Sequence, residues 1–289
     1  MPGPLLAIDG PFVLYRSFFA LPDSITDGDG HPVNALLGAV NLIVRIAADS
    51  GARAIVVCFG AEAARYRVAL YPGYHAQRPP VPEALAWQFE RAPGLFGALG
   101  WGVEDSEELE ADDLLGSLAQ AESEAGGQAL IMTGDRDMYQ CAAERVSVVY
   151  LRQGTSGFET IDPDEVRRRY GIAPELVPDF IALRGDPSDG LPGAPGIGAK
   201  TAAALLERHG SLEAAIAAAD GERPRVAVAL REHADELRAF REIATLRPVK
   251  LARPPDGGTD LRAGAAAAAA LGMGRLATRL QAARSLTEL

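Results

Sequence analysis

Cysteine is nearly missing from this chain. Cys58 and Cys141 are the only two, and neither lies in a spacing that holds zinc or builds a disulfide framework. Both read as small buried hydrophobes in a reducing compartment. The four histidines (His31, His75, His209 and His233) form no ligand cluster, so zinc is not expected. No apolar run approaches the roughly 20 residues that a membrane helix needs. There is no basic, apolar leader before the first apolar stretch, so the expected location is cytoplasmic, with no membrane partner. Basic residues are also short: 28 Lys and Arg face 39 Asp and Glu, for a net charge of −11. That balance argues at first sight against an anionic partner such as nucleic acid. Net charge, however, governs solubility and long-range fields more than local sites, and here the charge is unevenly spread.

Residues 104–113 read EDSEELEADD, seven carboxylates with no base among them. Acids packed so tightly repel one another, and a folded chain tolerates that only in water or around cations. Their place in the fold decides which. LLAID (5–9), AIVVCF (54–59) and ALIMTGD (129–135) read as buried strands, with SVVYLR (147–152) closing the sheet edge. Between them NALLGAVNLIVRIAADSG, with Asn34 as N-cap and Gly51 at the stop, and ADDLLGSLAQAESEAGG have helical periodicity. Strands alternating with helices predict an α/β domain with a mostly parallel sheet. In such sheets ligands gather beyond the carboxyl ends of the strands. Asp9 ends the first strand, and Asp135 and Asp137 follow the third. Glu110, Asp112 and Asp113 open the acidic helix, where the helix dipole favours negative charge. Taken singly, each is also an ordinary cap or turn residue. Together they predict a cradle for Mg²⁺ or Mn²⁺, with residues 104–108 as its solvated approach.

DPDEVRRRYG predicts a short helix capped by Asp162, with Pro163 at N1 and Gly171 at its stop. Beyond it, GDPSDGLPG contributes Asp186 and Asp189. PGIGAKT is a glycine-rich loop (Gly196, Gly198, then Lys200 and Thr201) opening straight into a helix, a geometry suited to a phosphate oxygen. Residues 65–78, RYRVALYPGYHAQR, carry Arg65, Arg67 and Arg78 without an acid, interleaved with Tyr66, Tyr71 and Tyr74. Cations paired with flat rings suit a single-stranded nucleic acid, though tyrosines packed on a core give the same pattern. The tail is plainer: KLARPPDGG (250–258) reads as a linker and the six alanines 265–270 as helix.

These motifs, in this order, resemble the bacterial 5′→3′ exonuclease and flap endonuclease family, which includes the N-terminal nuclease domain of DNA polymerase I. IDGPFVLYRSFFAL resembles its opening block, LEADDLLGSLA its acidic helix and TGDRDMYQ its acidic strand end. GDPSDGLPGAPGIGAKTAAALL resembles its helix–three-turn–helix. The resemblance covers nearly the whole chain. It implies a PIN-like nuclease domain over 1–170, a helical duplex-binding domain over 171–289, and a stand-alone, monomeric member without an organic cofactor. It also implies two or more Mg²⁺ or Mn²⁺ ions on Asp9, Glu110, Asp112, Asp113, Asp135, Asp137, Asp186 and Asp189, and K⁺ at the PGIGAKT loop. Arg67, His75 and Arg78 become the expected catalytic cations. Arg65, Tyr66, Tyr71, Tyr74, Gly196, Gly198, Lys200 and Thr201 become DNA contacts, at a 5′ flap, a nick or a single-strand/duplex junction.

Two positions depart from the family pattern. Gly60 stands where the family has an aspartate, with Glu62 as a nearby acid, and His75 stands where it has a lysine. The rival expectations are therefore a catalytically weakened, structure-specific DNA-binding protein and a PIN-type ribonuclease.

Overall fold

A computed structural model describes residues 3–152 and 157–289. Strands β1 (Leu5–Asp9), β2 (Ala54–Cys58), β3 (Gly102–Glu104), β4 (Ala129–Thr133), β5 (Val146–Leu151) and β6 (Phe158–Ile161) form one sheet in the order β3-β2-β1-β4-β5-β6. The first five run parallel, and β6 pairs antiparallel with β5. The four anticipated strands are present, but SVVYLR is not the edge. β6 lies outside it, and β3 closes the opposite side. Both edges escape a hydrophobicity reading because GVE and FETI carry few apolar residues and are half exposed. From β1 the chain builds outward first through β2 and β3, then through β4 and β5 on the other side. The direction of winding reverses between β1 and β4, which opens a crevice at their carboxyl ends.

The helices are α1 (Gly10–Ala20), α2 (Asn34–Ser50), α3 (Arg65–Leu70), α4 (Glu83–Ala98), α5 (Ala111–Glu124), α6 (Pro163–Tyr170), α7 (Val177–Arg184), α8 (Ala199–His209), α9 (Leu212–Ala217), α10 (Pro224–Glu232), α11 (Ala234–Ala244), α12 (Leu261–Ala270) and α13 (Gly274–Ala282). Side chains alternate across a strand, so β1 feeds two cores. Leu6 and Ile8 pack with α1, α2 and α4, while Leu5 and Ala7 pack with α5 and, beyond it, with α7, α8 and α11. The anticipated stops hold: Gly51 and Gly171 both take left-handed φ, and Asp162 caps α6 by accepting the Glu165 N–H. Asn34 differs. It is the first residue inside α2, fully buried, and its amide donates to the Phe18 and Leu21 carbonyls instead of capping.

The expected linker crosses back over the first half of the chain. Arg53, buried beside β2, pairs with Glu122 of α5 and with Asp256, and Arg253 also reaches Glu122. α12 and α13 then place Ala265, Ala268, Leu276 and Leu280 in the same core as α2 and α4. Residues 261–282 thus pack on the sheet domain, not on the α7–α11 group that precedes them. Among the described residues no helix is long and apolar enough to cross a membrane.

Candidate metal centre and nucleic-acid interface

Asp9 is both the last residue of β1 and the N-cap of α1. One oxygen, Oδ1, accepts the Phe12 N–H at 2.9 Å, and Oδ2 accepts the Thr133 hydroxyl at 2.7 Å. Thr133 ends β4 and carries the chain into Asp135 across Gly134. A Cβ at Gly134 would lie 2.0 Å from the Phe12 ring, which would have to move to admit a side chain. Asp137 follows on a short 3₁₀ turn (Asp137–Cys141), and Asp112 stands in the first turn of α5.

One oxygen each from Asp112, Asp135 and Asp137 lies within 4.8 Å of the others. Asp137 Oδ1 is buried and has no hydrogen-bond partner. Burial pushes the Asp9 carboxyl up to about 6, and the Asp135 charge adds to the rise against the Phe12 and Thr133 bonds. Burial also raises Asp112 and Asp137 well above the usual carboxylate range, with their acidic neighbours adding to it. Asp135 rises for the same first reason, with Asp189 and Asp186 as charged neighbours. An all-oxygen set that is half-buried, mutually repelling and left with an orphaned buried oxygen fits a hard divalent cation.

Glu110 and Asp113 are held by the protein itself. The Ala64 N–H (2.7 Å) and the Tyr74 hydroxyl (2.8 Å) donate to Glu110, and Arg67 lies 3.2 Å from it. Asp113 accepts both terminal nitrogens of Arg67 (2.8 and 3.1 Å), the Glu110 N–H and the Arg247 N–H. Its carboxylate is saturated, which removes it from the set of open ligands. Arg67 corrects a second expectation. It is 3% exposed, also donates to the Ile243 carbonyl, and holds Glu110 and Asp113 in place instead of facing a phosphate. Tyr74 is likewise buried under His75 and bound to Glu110, so it is closed to a base.

The other members of the 65–78 block divide. Tyr71 packs edge-on against Phe240, and Tyr66 lies beneath the Arg247 guanidinium at 3.2 Å, its hydroxyl unpartnered. His75 has φ of +54° and is pinned to Asp189: its N–H donates to the Asp189 carbonyl and its Nε2 lies 3.1 Å from Oδ1, while Nδ1 meets the Glu62 carbonyl. Arg78 also reaches Asp189, at 3.2 Å, with its side chain 39% exposed. Arg65 is exposed. Asp186 is turned into its own loop, accepting from Ser188 and Arg184. Gly196 (φ +78°) and Gly198 are exposed with open space where a Cβ would stand, and Lys200 and Thr201 begin α8 beside them.

At Gly60 a Cβ would lie 2.5 Å from the Leu109 carbonyl oxygen and 2.6 Å from the Ala111 nitrogen. The backbone entering α5 occupies the space an aspartate would need, and Glu62 is exposed. A groove of about 1350 Å³ is lined by Phe12, Tyr15, Arg16 and Phe19 of α1, Arg45 of α2, and Arg279 and Leu289 near the end of the chain. Sequence reading missed Thr133 and Arg247. The hydroxyl two residues before Asp135 was a signal that could have been used, whereas Arg247 sits in a stretch with no motif.

Comparison with known proteins agrees with this geometry. Residues 4–171 match the family described as "5'-3' exonuclease, N-terminal resolvase-like domain", and residues 172–254 match "5'-3' exonuclease, C-terminal SAM fold". A "5'-3' exonuclease" of Mycobacterium tuberculosis is 36% identical over 89% of this chain and 88% of its own length. DNA polymerase I of the same organism is 38% identical over 87% of this chain, which spans 28% of that relative's length. Among solved structures, the T5 D15 protein co-crystallised with metal ions superposes with a TM-score of 0.69 at 16% identity, covering 96% of this chain and 98% of that one. A further T5 D15 structure, a flap endonuclease pseudo-enzyme-product complex with DNA and metal ions, gives 0.67 at 17% over 99% and 100%.

Proposed function

The chain belongs to the 5′→3′ exonuclease family, and from that premise we propose that it is a structure-specific 5′ nuclease hydrolysing phosphodiesters of DNA at 5′ ends, flaps or nicks. The observation that carries this reading is the Asp112–Asp135–Asp137 oxygen cluster, with its orphaned buried oxygen, at the crevice between β1 and β4. Asp9, Asp112, Asp135 and Asp137, with Glu110 behind them, are the residues that would hold divalent ions, Mg²⁺ or Mn²⁺; Asp189 flanks the cluster from the α7–α8 turn. Such ions, when bound, lower the pKa of a water and neutralise charge on the leaving oxygen.

The protein's own part is positioning. Arg67 and Tyr74 fix Glu110. Arg78 and Arg65, both exposed, are the cations of their block open to a phosphate. The groove along α1 pairs aromatic rings with guanidinium groups, which suits a single strand leaving the crevice. The open Gly196–Gly198 loop and the α8 N-terminus suit a duplex phosphate, with K⁺ as an added bridge, fixing distance without reading sequence. The division is then a nuclease half over 1–170, joined by α12 and α13, and a duplex-binding unit that starts at 171 and is built on α7–α11, acting as a monomer in the cytoplasm.

A second reading, a weakened DNA-binding protein, draws on Gly60, where packing excludes a carboxylate, and on His75, which is tied to Asp189. A labelled 5′-flap duplex, a nicked duplex and the matching RNA, each with Mg²⁺, Mn²⁺ or EDTA, separate the readings. The nuclease cuts the DNA flap near its junction only with metal. Tight binding without cutting under either ion would support the binder, and preference for RNA would support a ribonuclease.

A further inference from the structure

On the reading of this crevice as a divalent-metal centre, we propose that Thr133 is a positioning residue whose single hydroxyl sets Asp9 and Asp135 together for metal binding. A hydroxyl has one proton to donate and two lone pairs to accept with. The Asp135 N–H, 3.1 Å away, can only donate, so that bond uses a lone pair of Thr133 Oγ1. The proton is left for Asp9 Oδ2 at 2.7 Å. Its direction is therefore fixed by the backbone and not by solvent. The Phe12 N–H holds the other Asp9 oxygen, so both oxygens are oriented and each keeps a lone pair. Thr133 is itself 0% exposed and paired in register with Tyr150 of β5, and its branched Cβ restricts χ1. One buried atom thus ties an acid at the end of β1 to an acid beyond β4, across the two strands where the sheet reverses.

The measurement is Mn²⁺ affinity without DNA, by EPR of the free ion, alongside the Mg²⁺ half-saturation and the DNA KM of cleavage. Thr133→Val keeps the side-chain shape and removes the hydroxyl. It is expected to weaken Mn²⁺ binding and raise the Mg²⁺ half-saturation by about 10–100-fold, the range typical for groups that orient metal ligands. The DNA KM should stay unchanged, and Thr133→Ser should restore Mn²⁺ affinity. If Thr133→Val does not accumulate as folded protein, Thr133→Cys, a weak donor, takes its place in the same titration. Wild-type Mn²⁺ affinity in the variant lacking the hydroxyl, or a Ser variant as weak as Val, overturns the proposal and leaves the nuclease reading standing. A wild-type protein that binds no Mn²⁺ overturns both.

Discussion

Arg67 illustrates what a residue's sequence surroundings conceal. Its neighbours in the 65–78 block, three tyrosines and no acid, read as a surface for nucleic acid, yet the side chain is enclosed by Asp113, Glu110 and the Ile243 carbonyl. Charge sign and spacing are local and legible; burial here is decided by the start of α5, 46 residues on at Asp113, and by the Ile243 carbonyl, 176 residues on, and neither is. Removing one partner of a buried ion pair leaves an uncompensated charge, at a cost of about 3–5 kcal/mol. Arg67→Ala should lower unfolding free energy by that order in urea titrations, whereas a surface phosphate contact would leave stability nearly unchanged. Gly60 teaches the converse. The missing family acid is visible in the sequence, but the reason is backbone proximity. Gly60→Asp is expected to lower Tm without reducing the Mg²⁺ requirement of cleavage; a lower requirement with unchanged Tm would mean the α5 entrance yields easily.

At the scale of elements, the acidic cradle was legible because strand ends and helix starts announce themselves: Asp9 closes an apolar run, and Glu110 and Asp113 form a capping box at α5. The edges β3 and β6 were not, since short half-exposed strands depend on pairing for their shape. Nor was the path of the 250–258 segment, which composition makes a linker but ion pairs make a brace. Glu122 is fully buried and receives Arg53 and Arg253 together, and these bonds hold its carboxyl below the usual range despite burial. Glu122→Ala should destabilise the fold by about 3–5 kcal/mol, again by stranding a buried guanidinium. Cleavage per folded molecule should stay at the wild-type level, because neither arginine touches the carboxylate cluster. A variant of normal Tm would show that the segment is held by Asp256 and backbone bonds alone.

For the whole molecule, the carboxylate cluster makes stability depend on pH and metal together. Asp9, Asp112, Asp135 and Asp137 all have folded pKa values raised above the unfolded ones. The folded state therefore binds more protons between the unfolded values near 4 and the folded ones, about 6 for Asp9, and stability falls as pH rises through that window. In EDTA, Tm should rise as pH is lowered from 8 to 5.5. The depressed groups, such as Glu122 and Glu213, lose their contribution only in more acid solution. Saturating Mg²⁺ should flatten or reverse the trend, because protons then compete with the ion. A metal-free Tm independent of pH across this range would mean that the acids are solvated in the absence of an ion. The central claim, that these acids hold ions which cut DNA, is tested most directly by single-turnover cleavage of a labelled 5′-flap substrate with Asp135→Asn. The variant should bind the flap with wild-type affinity and cut it more slowly by more than the roughly 100-fold typical of lost supporting groups. Cutting at the wild-type rate would contradict the account.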